Sequence, residues 1–89
     1  MNGGLLYITR TVRGIPLWLL REYLQELGGQ VAPDGKVLSE GWSASLTQLE
    51  DFRLGSIRVG EVRIDLEATP GAWEQIQPDL EKKLMRAGG

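Results

Sequence analysis

The run Ile15 to Gly29, IPLWLLREYLQELGG, constrains this chain more than any other stretch, because it specifies a helix with both ends written locally. Pro16 suits the first helical position, where a missing N–H and a fixed φ cost nothing, and Gly28-Gly29 supply a left-handed stop past the last turn. At about 100° per residue, Leu17, Leu19, Leu20, Tyr23, Leu24 and Leu27 fall on one broad arc, while Arg21, Glu22, Gln25 and Glu26 fill the other. Burial of each aliphatic side chain on that arc is worth roughly 1.5–3 kcal/mol gross, so the helix requires a sheet to cover. Trp18 disobeys the division. It projects from the polar side of the first turn, and a large apolar ring there needs a partner, either elsewhere in the fold or on another molecule.

A sheet is what the rest of the chain offers. Leu5 to Val12 is rich in β-branched residues, with Leu6, Ile8 and Val12 on one parity and Tyr7, Thr9 and Thr11 on the other. Arg10 shares the apolar parity, which favours a bulge or a long side chain reaching past the sheet edge over an anion-binding arginine. Pro33-Asp34-Gly35 between Val31 and Val37-Leu38 is hairpin chemistry. Trp42, Ala44 and Leu46 alternate with Ser43, Ser45 and Thr47, and Trp42 is expected to face the helix. Glu50 to Gly55 is mixed and fits a loop or a continued strand. Ile57 and Val59 alternate until the phase changes at Gly60-Glu61, by a Gly-X turn or a bulge, and Val62, Ile64 and Leu66 resume it. Three or four strands therefore follow the first helix.

The last element starts with Thr69 as N-cap and Pro70 at the first helical position. Trp73, Ile76, Leu80, Leu84 and Ala87 form a narrow stripe running through Pro78, which lies off it toward solvent, so either one kinked helix or two abutting helices fit. The order β-α-β(3–4)-α predicts a single α+β domain over residues 1–89, in two layers, with both helices on one face of an antiparallel sheet.

Composition narrows the function. A chain of 89 residues with a 42% hydrophobic and 25% charged share is expected to fold as one small globular unit. A net charge of −2 gives no global attraction to nucleic acid or anionic lipid. Cysteine and histidine are both absent, which removes the thiolate nucleophile, the commonest general base and the commonest metal ligands together. No signal peptide or membrane span is legible, so a cytoplasmic location is expected. Neither an enzyme nor a cofactor site is expected, and no Walker-type or dinucleotide signature is present.

Several residue groups invite a chemical role. Glu50-Asp51 and Glu61, Asp65 and Glu67 suggest a metal site or an acid/base pair, but alternation of Asp65 and Glu67 with Ile64 and Leu66, and Arg58 and Arg63 nearby, fit a solvated strand face better. Arg53, Arg58 and Arg63 suggest a phosphate cradle, opposed by acidic neighbours. Lys82, Lys83 and Arg86 complement the dipole at the end of the last helix without any ligand. Gly88-Gly89 resembles the diglycine terminus of ubiquitin-like sulfur carriers, yet follows a helical LEKKLMRA in a chain with one strand before its first helix, which favours a helix stop.

The segments RTVRGIPLWLLREYLQELGG (Arg10 to Gly29) and LGSIRVGEVRIDLEA (Leu54 to Ala68) resemble the uncharacterised C-terminal domain of MoaD-related proteins, most specifically in P-x-W-L-L-x-x-Y-L at Pro16 to Leu24. The resemblance extends from about Arg10 to the terminal glycines. It implies a TBP-like β-α-β(4)-α fold with a curved sheet, which tips the count toward four strands after the first helix. It also implies a link to molybdopterin and sulfur-carrier pathways, here in what looks like a stand-alone chain, and supplies no catalytic residues. The leading expectation is a non-enzymatic module, monomeric or homodimeric, that binds a ubiquitin-like sulfur carrier or its partner enzyme through Trp18, Arg21, Glu22 and Gln25. The alternative role for Trp18 is packing within the fold, against the loop near Gly14 or a sheet end. A second expectation is a homo-oligomer binding a small anion such as a pterin phosphate through Arg10, Arg58 and Arg63. A sulfur carrier ending in Gly88-Gly89 is a minor third.

Overall fold

Strict alternation along β7 (Glu61–Ala68) sets the architecture: Val62, Ile64, Leu66 and Ala68 are buried, and the residues between them face the other way. β7 occupies the second place in an antiparallel five-stranded sheet of order β1-β7-β4-β3-β2, with β1 (Leu6–Arg13), β2 (Gln30–Val31), β3 (Val37–Ser39) and β4 (Trp42–Gln48). The computed structural model describes the backbone of residues 4–88 and the side chains of residues 4–85. Two helices, α1 (Leu17–Glu26) and α2 (Pro70–Gly88), cover one face, giving the α+β class expected. The other face is open. Four sheet strands follow α1, and a separate two-stranded hairpin, β5 (Phe52–Leu54) and β6 (Ile57–Val59), intervenes between β4 and β7.

That hairpin resolves two ambiguities of the sequence. The segment at Glu50 to Gly55 contains a strand, but one outside the main sheet, and the turn lies at Gly55, whose φ is +62°. The phase change at Gly60 is neither a bulge in one strand nor a hairpin turn. It is the junction at which the chain leaves the hairpin and enters β7.

The termini of α1 differ by one residue from the expectation at the start and agree at the end. Pro16 is the N-cap, with φ −67° and ψ 153°, and its carbonyl accepts from Leu19 and Leu20. Ile15, just before it, is buried with Leu20 in one cluster, which fixes the angle at which the chain enters the helix. At the far end Gly28 takes φ +110° and donates to Gln25 O, and Gly29 donates to Leu24 O, a Schellman closure. In α2, Ala72 N–H donates to Thr69 Oγ1 at 3.2 Å, so Thr69 caps and Pro70 opens the helix as expected. α2 is a single helix through Pro78.

Two apolar clusters form the core. One gathers Leu24, Val37, Trp42, Ala44, Leu66, Ala68, Ile76 and Leu80; the other holds Ile15, Leu20, Val62 and Ile64. Leu46 and Leu84 pack against both and join them. Trp42 faces the helices, as expected.

Candidate partner-binding surface

Trp18, Arg21, Glu22 and Gln25 recur at the spacing of one helical stripe, so the fold of α1 sets them side by side. The arc of α1 that carries Leu20 and Leu24 is committed to the sheet, which turns this stripe outward. Trp18 is 60% exposed, and Glu22 and Gln25 are exposed beside it. The ring is not tucked into the fold.

Arg21 is half-buried and differs from its neighbours. Its Nε is buried without a hydrogen-bond partner, a state that costs free energy. The guanidinium lies beside the β2–β3 turn, 3.9 Å from where a Cβ on Gly35 would stand. A notch of about 140 Å³ opens there, lined by Arg21, Asp34, Gly35, Lys36, Ser45 and Leu46. Asp34 Oδ1 accepts from the Lys36 backbone N–H at 3.0 Å, closing the turn. Trp18 thus offers apolar surface, and the notch offers two cations, Arg21 and Lys36, against one carboxylate, Asp34. Lys36 and Asp34 were missed in the sequence. The turn at Pro33 to Gly35 was legible, but its position over Arg21 follows from the β3–β4 register, Val37 opposite Ala44.

The other arginines do not converge. Arg10 lies on the helix-covered face, opposite Ile64, and its guanidinium pairs with Glu81 of α2, with Nη1 3.1 Å from Oε1. The hydrogen bond and charge of that partner raise the Arg10 pKa and lower that of Glu81. Arg63 lies on the open face with Nε 2.9 Å from Asp65 Oδ2, and Asp65 is held below the ordinary carboxylate range chiefly by this bond and further by Thr9 Oγ1 at 3.0 Å. Arg58 stands on the separate hairpin, opposite Arg53. Arg10 and Arg63 therefore face opposite sides of the main sheet, because consecutive parities of a strand pair do, and Arg58 belongs to the other sheet. Arg10 occupies the apolar parity without any bulge, its head reaching Glu81.

Two carboxylates of the open face are paired, Glu61 with Arg13 at 2.7 Å and Asp65 with Arg63, while Glu67 stands exposed opposite Tyr7. Lys83 pairs with Glu26 and sits 5.5 Å from the Tyr23 ring centroid, tying α2 to α1. Gly88 closes α2, while Gly89 lies outside the described residues, as does the Arg86 side chain. No helix among the described residues is long and apolar enough to cross a membrane.

Residues 8–89 match the family described as archaeal MoaD-like protein, which covers nearly the whole chain. No curated protein matches it.

Proposed function

Because the chain belongs to the archaeal MoaD-like protein family, we propose that it is a non-enzymatic accessory module that binds a protein of molybdopterin and sulfur-carrier biosynthesis through the outward stripe of α1. The family links the chain to that chemistry. The observation that carries the finer reading is Trp18, 60% exposed on a rigid helix beside the unmet Nε–H of Arg21. An aromatic anchor flanked by an arginine is the composition enriched among residues that dominate protein interfaces. Positive charge at Arg21 and Lys36 suits an acidic residue of the partner, which would meet the outer nitrogens of the guanidinium. The lack of histidine and cysteine supports a binding role over a catalytic one.

Calorimetric titration with a ubiquitin-like sulfur carrier, and separately with its activating enzyme, tests this reading. Trp18→Ala is expected to weaken binding by about 2 kcal/mol or more, the threshold of an interface hot spot, and to leave the unfolding midpoint unchanged. Undiminished binding with lowered stability makes Trp18 a structural residue and sinks the proposal.

A further inference from the structure

The longest unpartnered backbone surface among the described residues is the outer edge of β1. This strand ends the sheet, and its register with β7 runs without interruption from Leu6 opposite Ala68 to Arg13 opposite Glu61. Gly14 N–H donates to Gly60 O at 3.0 Å, which extends the same register by one hydrogen-bonded pair. Alternation along an antiparallel ladder then turns the amides of Leu6, Ile8, Arg10 and Val12 toward β7. The bonds on the far side of β7 agree: Leu49 N–H to Glu61 O and Thr69 N–H to Gly41 O assign its odd-numbered residues to β4, leaving the even-numbered ones for β1. Tyr7, Thr9, Thr11 and Arg13 therefore direct N–H and C=O groups outward. This edge carries no bulge, proline or lysine, and its two charges are neutralised within the chain, Arg10 by Glu81 and Arg13 by Glu61.

Exposed apolar residues stand at both ends of the strand. Leu5, Leu6 and Tyr7 lie at its start, 45%, 38% and 72% exposed. The hairpin adjoins its finish: the Phe52 ring centroid is 3.7 Å from the Arg13 guanidinium, and Val59 lies beside Gly14. Leu54 and Ile57, paired on that hairpin, are 66% and 60% exposed. Antiparallel pairing of two copies brings the start of each β1 alongside the finish of the other, where its hairpin stands.

We propose that the protein is a homodimer whose two β1 strands pair antiparallel about a two-fold axis through Thr9, merging two sheets into one. Only odd-numbered residues face the edge, so the numbers of residues paired across the axis sum to an even value, and the greatest overlap centres on Thr9 or on Arg10. An axis at Arg10 sets two guanidinium groups directly opposite each other, which is destabilising. The axis at Thr9 sets Leu6 opposite Val12 of the second copy and Tyr7 opposite Thr11 of the second copy, an apolar and an aromatic–β-branched pair, while Arg10 keeps Glu81 and meets only Ile8 of the second copy. Arg10 thus selects one register for the edge.

Sedimentation equilibrium of the full chain is expected to give twice the 9.9 kDa of one copy. Thr11→Pro removes an N–H that bonds nothing within the chain and puts a ring on the open edge, so it is expected to yield a folded monomer with an unchanged circular dichroism spectrum. The chain has no cysteine, so Thr9→Cys places a lone thiol on the axis. Hydrogen-bonded partners lie about 5.5 Å apart at Cα, within disulfide range, and mild oxidation is expected to cross-link Thr9→Cys and to leave Thr11→Cys largely unlinked. A monomer at every concentration overturns the proposal, as does a dimer that survives Thr11→Pro. A dimer without preferential cross-linking at residue 9 overturns the register.

Discussion

Arg10 puts a charge on the dry side of a sheet, and Glu81 is the residue that makes this tolerable. The pair is partly solvated, with side chains 38% and 29% exposed, so its net worth is at most about 1 kcal/mol. Its sign with pH is nonetheless definite. Glu81 is more acidic in the folded protein than in the unfolded chain, so the pair's stabilisation is complete above the ordinary carboxylate range and is lost as pH falls through the depressed value. The raised Arg10 pKa moves the corresponding loss on the alkaline side far above neutrality. Glu81→Gln is therefore expected to lower the unfolding free energy near neutral pH by up to about 1 kcal/mol, and the gap to the unaltered protein is expected to close in acid. Chemical denaturation across a pH series measures this; a gap that stays constant into acid contradicts it. The partner of Arg10 was not legible in the sequence, because Glu81 lies 71 residues away and reaches it only when α2 folds back across β1. Trp18 was legible as a misfit on its helix, since that needs only the helical period. The notch beside it was not, since Lys36 arrives there through strand register.

The two helices were readable in sequence because their ends are local chemistry. Thr69 and Pro70 open α2, and Gly28 closes α1, with bonds spanning only a few residues. Pro16 takes the cap position instead of the first helical turn because its ψ is extended, while its carbonyl still serves the helix. The β5–β6 hairpin escaped for the opposite reason: alternation tells which residues share a face and says nothing of which sheet the face belongs to. The junction between α1 and β2 shows how closely these elements meet. Gly29 is buried, and a Cβ there would collide with a Val37 methyl and lie 2.9 Å from Trp42 Cη2 and 3.0 Å from Leu24 O. Its φ is not left-handed, so the demand for glycine is one of space. Gly29→Ala is expected to destabilise by about 1–3 kcal/mol, the usual cost of overpacking, because Val37 and Trp42 are both held in the core. A thermal midpoint within a degree of the unaltered protein would show that α1 can withdraw from β3 at little cost.

At the scale of the molecule, the five-stranded sheet with its two helices is complete without the hairpin. The two core clusters and the side chains packed on them include no residue from Leu49 to Gly60, and the hairpin forms a sheet of its own. A lone two-stranded ribbon is at best marginally stable in water, so this one depends on where it is moored: Phe52 against Arg13 and Val59 beside Gly14. Its other features, the exposed Leu54 and Ile57 and the directly opposed Arg53 and Arg58, contribute nothing to the fold and in the case of the arginines oppose it. The geometry beneath it allows a clean excision. Leu49 N–H donates to Glu61 O at 2.9 Å, so these residues form a hydrogen-bonded pair that a two-residue turn can close. Replacement of residues 50–60 by Asn-Gly would make β4 and β7 a simple hairpin with the register from Gln48 opposite Val62 to Trp42 opposite Ala68 retained. The loss should be limited to the cation–π stack, the Val59 contact and the Gly14 N–H to Gly60 O bond, about 1–3 kcal/mol together, with cooperative unfolding preserved. Denaturant titration and the near-ultraviolet signal of Trp42 and Trp73 would report this; a molten or unfolded product would mean that the ribbon helps to hold the sheet. If the shortened chain folds, any function it loses belongs to the ribbon itself, and sedimentation of that chain would separate the backbone pairing of β1 from the apolar contacts at its ends: dimerisation weakened but still abolished only by Thr11→Pro is the outcome the edge geometry requires.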